Sequence, residues 1–312
     1  MNIIISGGGG FIGSHLCREL INKGHNVICV DNFITGAKRN LTNIIDNPNF
    51  KLLEHDISTP LYLKEDLDWV LHFASIASPK AYLSQPIKTL KSGLLGTHTC
   101  LGIAKDKKAK FFLASTSEVY GDPTIHPQTE EYWGNVNPNG VRSCYDESKR
   151  GAEALTYAYY RQHDVDVRVA RIFNTYGPNM QVDDGRVVSN FIVQALRGED
   201  ITVYGKGNQT RSFCYIDDLV AGLLKIMESE YKLPLNLGNP SEFKIITLAK
   251  LVLKIIGSKS KIKFLPLPED DPKQRCPDIS RAKKFLGWKP KVKLEEGVKK
   301  TIEYFRERIK EE

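Results

Sequence analysis

Short β-branched and aliphatic runs alternate with helix-length amphipathic segments through the first half of the chain. Strands are predicted near Ile3 and over 27–30, 51–53, 69–73, 111–114 and 167–172. Alternation of this kind builds a parallel sheet covered by helices on both faces. The first helix carries Leu16, Leu20 and Ile21 on one face and stops at Gly24, and Asn26 opens the next strand. The pattern therefore reads as α/β, a doubly wound parallel sheet.

Beyond about residue 172 the regularity weakens. Tyr176-Gly177-Pro178, Gly205-Lys206-Gly207 and Gly238-Asn239-Pro240 separate helices predicted over 188–196, 216–227, 247–256 and 294–306. The expected division is a sheet domain over 1–175, with a return segment near 208–230, and a smaller C-terminal substrate-binding lobe over 176–312.

Composition narrows the function classes. The 312 residues are 41% hydrophobic and 26% charged, enough for a sizeable core, with no low-complexity tract or internal repeat. A formal charge of +7 raises the question of a polyanionic partner. The lysine clusters at 105–110 and 283–293 fall near predicted helix ends and no nucleic-acid reader motif accompanies them, so neither nucleic acid nor membrane is an expected partner. Met1 leads directly into the first strand, leaving no room for a signal peptide, and no apolar run approaches the ~20 residues of a membrane span. A cytoplasmic protein is expected. Its six cysteines are scattered without a Cys-x-x-Cys pair, so neither a disulfide framework nor a metal site is expected, and Cys29 reads as core filler.

The candidate chemistry begins at the first strand. Gly7-Gly8-Gly9-Gly10-Phe11-Ile12-Gly13 follows it at once and runs into a helix. This order lets a backbone approach a pyrophosphate closely and aims helical N–H groups at it, as in Rossmann-type dinucleotide sites. Asp31 ends the second strand 18 residues after Gly13, where a carboxylate accepts both adenosine ribose hydroxyls and repels a 2′-phosphate. NAD is thus expected over NADP, with Lys38 and Arg39 close enough in sequence to blunt that repulsion. A capping or turn role for Asp31 is the plainer alternative. Asp56, after the third strand, is placed beside the adenine by the same topology.

Tyr145 and Lys149 stand four residues apart, on one helix face. A cation beside a phenol stabilises the phenolate, which makes such a pair an alcohol–ketone proton shuttle. Taken alone, a Tyr-x-x-x-Lys match arises often by chance and reads as an ordinary surface pair. Thr116-Ser117-Glu118 lies upstream at the end of the fifth predicted strand, where open parallel sheets gather their active-site groups.

These residues together resemble the extended short-chain dehydrogenase/reductase family and, within it, the UDP-glucuronate decarboxylases. The resemblance spans essentially the whole chain. It rests on Gly7 to His15, Asp31-Asn32-Phe33, His55-Asp56, Ala114 to Asp122, Tyr132 to Pro138, Arg142 to Glu147, Ala170 to Gly177, Asp184 to Phe191, Gln209-Thr210-Arg211 and Asn236 to Pro240. Related 4,6-dehydratases carry Asp-Glu at the positions of Ser117-Glu118, an acid that expels the C6 hydroxyl and would repel a C6 carboxylate. The epimerases have small residues there.

The resemblance implies redox-neutral decarboxylation of UDP-glucuronate to UDP-xylose and CO2 through a 4-keto sugar, with NAD as cofactor and no metal. It implies Tyr145 as base, Lys149 as its partner, Thr116 or Ser117 at the developing oxyanion, and Glu118 orienting water or a proton. For NAD it implies Gly7, Gly10, Phe11, Ile12, Gly13, Asp31, Asn32, Thr35, Gly36, Asp56, Ile57, Phe73, Ser75, Ser92 and Thr175, with Tyr145 and Lys149. Arg275 is expected at the charged end of the substrate, and Tyr62, Lys91, Tyr159, Asn174, Arg186, Tyr204 and Arg211 around the rest of it. A homodimer through helices at 87–105 and 149–162 is implied as well. Gly93, where the family commonly has asparagine, and Ile76 and Lys80, where it has prolines, depart from the pattern. A nucleotide-sugar 4,6-dehydratase or 4-epimerase, an oxidative decarboxylase releasing the 4-keto pentose, and an inactive nucleotide-binding scaffold stay open as alternatives.

Overall fold

The computed structural model describes residues 1–267 and 274–311. In chain order its elements are β1 (Asn2–Ser6), α1 (Phe11–Asn22), β2 (Asn26–Asp31), β3 (Phe50–Glu54), β4 (Trp69–His72), α2 (Pro79–Ser84), α3 (Pro86–Lys107), β5 (Lys110–Thr116), α4 (Ser143–His163) and β6 (Val167–Ile172). There follow β7 (Thr175–Tyr176), α5 (Val187–Arg197), β8 (Ile201–Tyr204), β9 (Thr210–Ser212), β10 (Cys214–Tyr215), α6 (Ile216–Glu228), β11 (Leu235–Leu237), β12 (Glu242–Lys244), α7 (Ile245–Ile256), β13 (Ile262–Leu265), β14 (Gln274–Arg275), α8 (Ser280–Leu286) and α9 (Leu294–Lys310).

Seven strands form one sheet in the order β11-β6-β5-β4-β1-β2-β3, and every pairing in it is parallel. Two-residue alternation divides β1 between two cores. Ile3 and Ile5 pack with Leu16 and Leu20 of α1 on one face, and Ile4 packs with Leu101 and Ala104 of α3 on the other. The expected doubly wound sheet is therefore present. The strand order reverses between β1 and β4, which opens a crevice at the carboxyl edge where such sheets bind ligands.

The seventh strand, β11, completes the edge beside β6 and carries a buried asparagine between two leucines. Its cost is met by full pairing: the Asn236 side chain accepts from Tyr120 Oη (2.8 Å) and donates to the carbonyls of Gln128 and Asp278. Beyond the sheet, β9 lies between β12 and β14, β8 pairs with β13, and α5, α7 and α9 pack on one another to form the lobe over the crevice. Among the described residues no helix is long and apolar enough to cross a membrane.

Candidate active site

A cavity of about 900 Å³ lies between the carboxyl edge of the sheet and the C-terminal lobe. Its floor is the glycine turn. Gly7 has φ +76°, and a Cβ there would sit 2.5 Å from Ala74 N; on Gly13 it would sit 2.1 Å from Gly7 O. Only glycine fits either place. Because α1 begins at Phe11, the N–H groups of Phe11, Ile12 and Gly13 have no acceptor one turn back, and these residues line the cavity with the positive end of the helix.

Asp31, at the end of β2, accepts from Gly9 N and Phe33 N, each at 2.8 Å. Burial pushes its pKa up, against the pull of these N–H groups. A Cβ on Gly36 would crowd both carboxylate oxygens at 3.1 Å, so glycine there leaves the carboxylate edge open. Asn32, Thr35, Asp56, Ile57, Phe73, Ser75, Ser92 and Thr175 line the same cavity. The set fits a dinucleotide: free N–H groups for a pyrophosphate and a carboxylate for a ribose. Asp56 is tied to Lys88 and to Ser58. Burial opposes its charge, but these partners prevail and hold its pKa at about 2.

Tyr145 and Lys149 occupy successive turns of α4 and are both buried. Lys149 Nζ donates to the Ala114 carbonyl of β5 at 2.8 Å and lies 5.9 Å from the Tyr145 ring centre. Burial lowers the Lys149 pKa to about 8, with Glu153 opposing. Burial and then the charge of Glu118 raise that of Tyr145, while a hydrogen bond with the Thr116 side chain and the charge of Arg186 work to lower it. Thr116 closes β5, and Ser117 and Glu118 begin the short 3-10 turn that follows.

Glu118 is gripped from both sides, by Arg275 at 2.5 Å and Arg142 at 2.6 Å. Burial disfavours its charge, yet the two guanidiniums outweigh it and hold the pKa at about 2. Arg142, absent from the sequence reading as a site residue, immediately precedes α4 and lies three residues before Tyr145. Its guanidinium stands 5.7 Å from the centre of the Tyr82 ring, which stacks on Tyr145 at 5.3 Å and 5°. Tyr82 was likewise not anticipated. The signal for Arg142 was its place one helical turn ahead of the phenol; for Tyr82, on α2, none was available.

Asp146 has its pKa raised to about 7, first by burial and then by Glu118, with Arg142 and Arg275 opposing. Arg275 also donates to Ser117 Oγ (3.0 Å) and Gly121 O (2.9 Å). Its guanidinium lines the cavity and is engaged there with Glu118 and its turn, whereas the resemblance implies a place at the charged end of the substrate. Residues 271–273 of the motif before it lie outside the described residues.

Asn174, Arg186, Tyr204 and Arg211 line the cavity, with Arg186 paired to Asp184 at 2.5 Å. Tyr62, Lys91 and Tyr159 are not among the lining residues. Tyr62 is 91% exposed. Lys91 is exposed on α3 beside the inward-facing Ser92, because neighbours on a helix point about 100° apart. Tyr159 stands 14 residues along α4 from Tyr145, roughly 21 Å at 1.5 Å per residue, and bonds His98 at 3.0 Å. Of the departures, Ile76 packs against Tyr82, Cys144 and Tyr145, and Lys80 pairs with Asp183 at 2.8 Å. A Cβ on Gly93 would lie 2.6 Å from Ser148 Cβ, so α3 and α4 meet too closely there for an asparagine.

Comparison with known proteins follows this geometry. The profile of the family described as GDP-mannose 4,6 dehydratase matches residues 4–301. UDP-glucuronic acid decarboxylase 1 of Xenopus tropicalis is 56% identical over 307 residues, 98% of this chain and 72% of the relative. UDP-glucuronic acid decarboxylase 6 of Arabidopsis thaliana is 54% identical over 310 residues, 99% of this chain and 90% of the relative. Among solved structures, the Bacillus cereus UDP-glucuronic acid 4-epimerase in complex with UDP-glucuronic acid and NAD superposes with a TM-score of 0.89 at 29% identity, covering 99% of this chain and 100% of that one.

Proposed function

The chain belongs to the GDP-mannose 4,6 dehydratase family and to the UDP-glucuronic acid decarboxylases within it, and from that premise we propose that it converts UDP-glucuronate to UDP-xylose and CO2. NAD is the cofactor, and when bound it supplies the exchange of hydride with C4 of the sugar. The chain's own residues do the rest.

The observation that carries the reading is the charge around Glu118. Two guanidiniums, Arg142 and Arg275, face one carboxylate, which leaves one positive charge in excess beside Tyr145 as long as buried Asp146, its pKa raised to about 7, is protonated. A C6 carboxylate complements that excess, whereas a neutral hydroxymethyl group does not. Tyr145 would accept the C4 hydroxyl proton as the phenolate, the form that the Lys149 ammonium and the positive nicotinamide ring of bound NAD favour against the burial that raises its pKa. Once C4 is a ketone, the C5–C6 bond breaks, CO2 leaves, and the electron pair passes through C5 to the C4 oxygen as an enolate. Thr116 and Ser117 stand at the strand end to donate to that oxygen. Because Glu118 is held as a carboxylate, it orients a water or proton donor for C5 and does not itself release a proton at neutral pH. Protonation at C5 and return of hydride to C4 complete a redox-neutral cycle.

Two further expectations complete the proposal. The six cysteines are free thiols, which suits a reducing cytoplasm. Exposed Ile87, Leu95 and Tyr160 on α3 and α4 suit a homodimer across those helices.

The test is incubation of the purified chain with UDP-glucuronate under mass spectrometry. A UDP-pentose and CO2 are expected, without stoichiometric build-up of the near-ultraviolet absorbance of reduced nicotinamide, and Tyr145→Phe is expected to lose turnover while keeping NAD. A six-carbon product, or lasting absorbance with a 4-keto pentose, overturns the reading.

A further inference from the structure

Three side chains far apart in sequence meet outside the catalytic cavity. His126, Glu242 and Cys276 bring one ligand atom each to within 4.8 Å of one another. His126 Nε2 lies 2.9 Å from Glu242 Oε2, and these two side chains are 28% and 26% exposed. Cys276 is buried at 2%. Imidazole, carboxylate and thiolate together are the donor set of a borderline divalent cation, and zinc above all. The separation of 116 residues between the first two and 34 between the last two hides the set from any spacing motif, which is why the sequence reading expected no metal.

The frame around these atoms is built independently of them. Gln128 N donates to Cys276 O (2.9 Å), Cys276 N donates to Gln128 Oε1 (2.8 Å), and Asp278 N donates to Gln128 O (2.9 Å). The loop carrying His126 is thereby laced to the segment carrying Cys276. Glu242 opens β12, which is joined through β9 to β14, the strand immediately before Cys276. Its second oxygen, Oε1, accepts from Thr210 Oγ1 at 2.7 Å. That bond fixes the carboxylate and leaves Oε2 turned toward His126, which is how ligating carboxylates are commonly oriented.

We propose that His126, Glu242 and Cys276 form a zinc site, with water as the fourth ligand. Tetrahedral bonds of roughly 2.0–2.3 Å place ligand atoms roughly 3.3–3.7 Å apart, so side-chain adjustments of about 1 Å or less, opening the 2.9 Å His126–Glu242 pair and bringing Cys276 Sγ in, form the site. The thiol, which donates to Pro240 O at 3.3 Å, gives up that hydrogen bond and its proton, which passes to solvent as the Zn–S bond forms, and no electron is transferred. Bound zinc ties the loop at 124–128 to β12 and to the residue after Arg275. Because Arg275 holds Glu118 and Ser117, the metal braces that arm of the active site from outside. The zinc site rests on these three side chains and not on which reaction the cavity carries out.

The experiment uses the full chain, loaded with Zn2+, dialysed against metal-free buffer and assayed by elemental mass spectrometry, with Co2+ as a spectroscopic substitute. About one zinc is expected to stay with each chain, and a thiolate-to-cobalt charge-transfer band is expected in the near ultraviolet. Cys276→Ser should remove the band, and His126→Gln and Glu242→Gln should each weaken zinc retention at least about tenfold, the scale of losing a ligand or its orienting partner. Circular dichroism of the metal-free variants reports folding. Should Cys276→Ser fail to fold, His126→Gln, a change on a partly exposed loop, decides the matter. No retained zinc in the unmodified chain, or retention unchanged in both His126→Gln and Glu242→Gln, overturns the proposal.

Discussion

At the scale of single residues, the side chain that organises this site is Glu118, whose charge is kept by Arg142 and Arg275 against the cost of burial. Removing that charge strands two buried guanidiniums, so Glu118→Gln is expected to destabilise the fold by about 3–5 kcal/mol, read as a lowered midpoint in urea unfolding. Asp146 carries the pH dependence. Its folded pKa of about 7 lies above the ordinary aspartate value of 3.8, so between those values the native state binds a proton that the unfolded chain releases. Its contribution to stability therefore falls as pH rises through that window. Above about 7 the new negative charge offsets the excess positive charge beside Glu118, and KM for UDP-glucuronate should rise there; in Asp146→Asn that rise should vanish. That Tyr145, Lys149 and Thr116-Ser117-Glu118 gather at one cavity was legible because each belongs to a short motif at a strand or helix end. Arg142 and Tyr82 were not, because their importance comes from a stacked ring and a shared carboxylate that only the folded chain brings together.

At the scale of elements, the junction of β1 and α1 is the proposed seat of the cofactor. A methyl at position 13 would lie 2.1 Å from Gly7 O, forcing apart the turn whose N–H groups are proposed to hold the pyrophosphate. Gly13→Ala is expected to weaken NAD binding at least about tenfold, or ~1.4 kcal/mol, in a calorimetric titration, with the rest of the sheet intact. The strands of the first half were readable because unbroken β-branched runs mark strands buried on both faces. β11 was not, since Asn236 interrupts its run and is tolerated only through the partners that Tyr120, Gln128 and Asp278 provide. The two- and three-residue strands β7, β9, β10, β12 and β14 are shorter than any periodicity can register.

At the scale of the whole molecule, the doubly wound sheet supplies a rigid edge and the C-terminal lobe lies over it, so the candidate reacting groups gather from β5, α4 and the lobe strand β14. The exposed apolar residues of α3 and α4 lie away from this edge. Leu95→Asp is expected to turn a dimer into a monomer in light scattering, and a monomeric unmodified chain would contradict the proposed pairing. The central claim is loss of the sugar's sixth carbon from a site built around Tyr145 and an excess of positive charge. UDP-glucuronate labelled at C6 tests it most directly: the account predicts that all label leaves as carbon dioxide and that the nucleotide product is an unlabelled pentose, whereas label retained in a nucleotide sugar would contradict it.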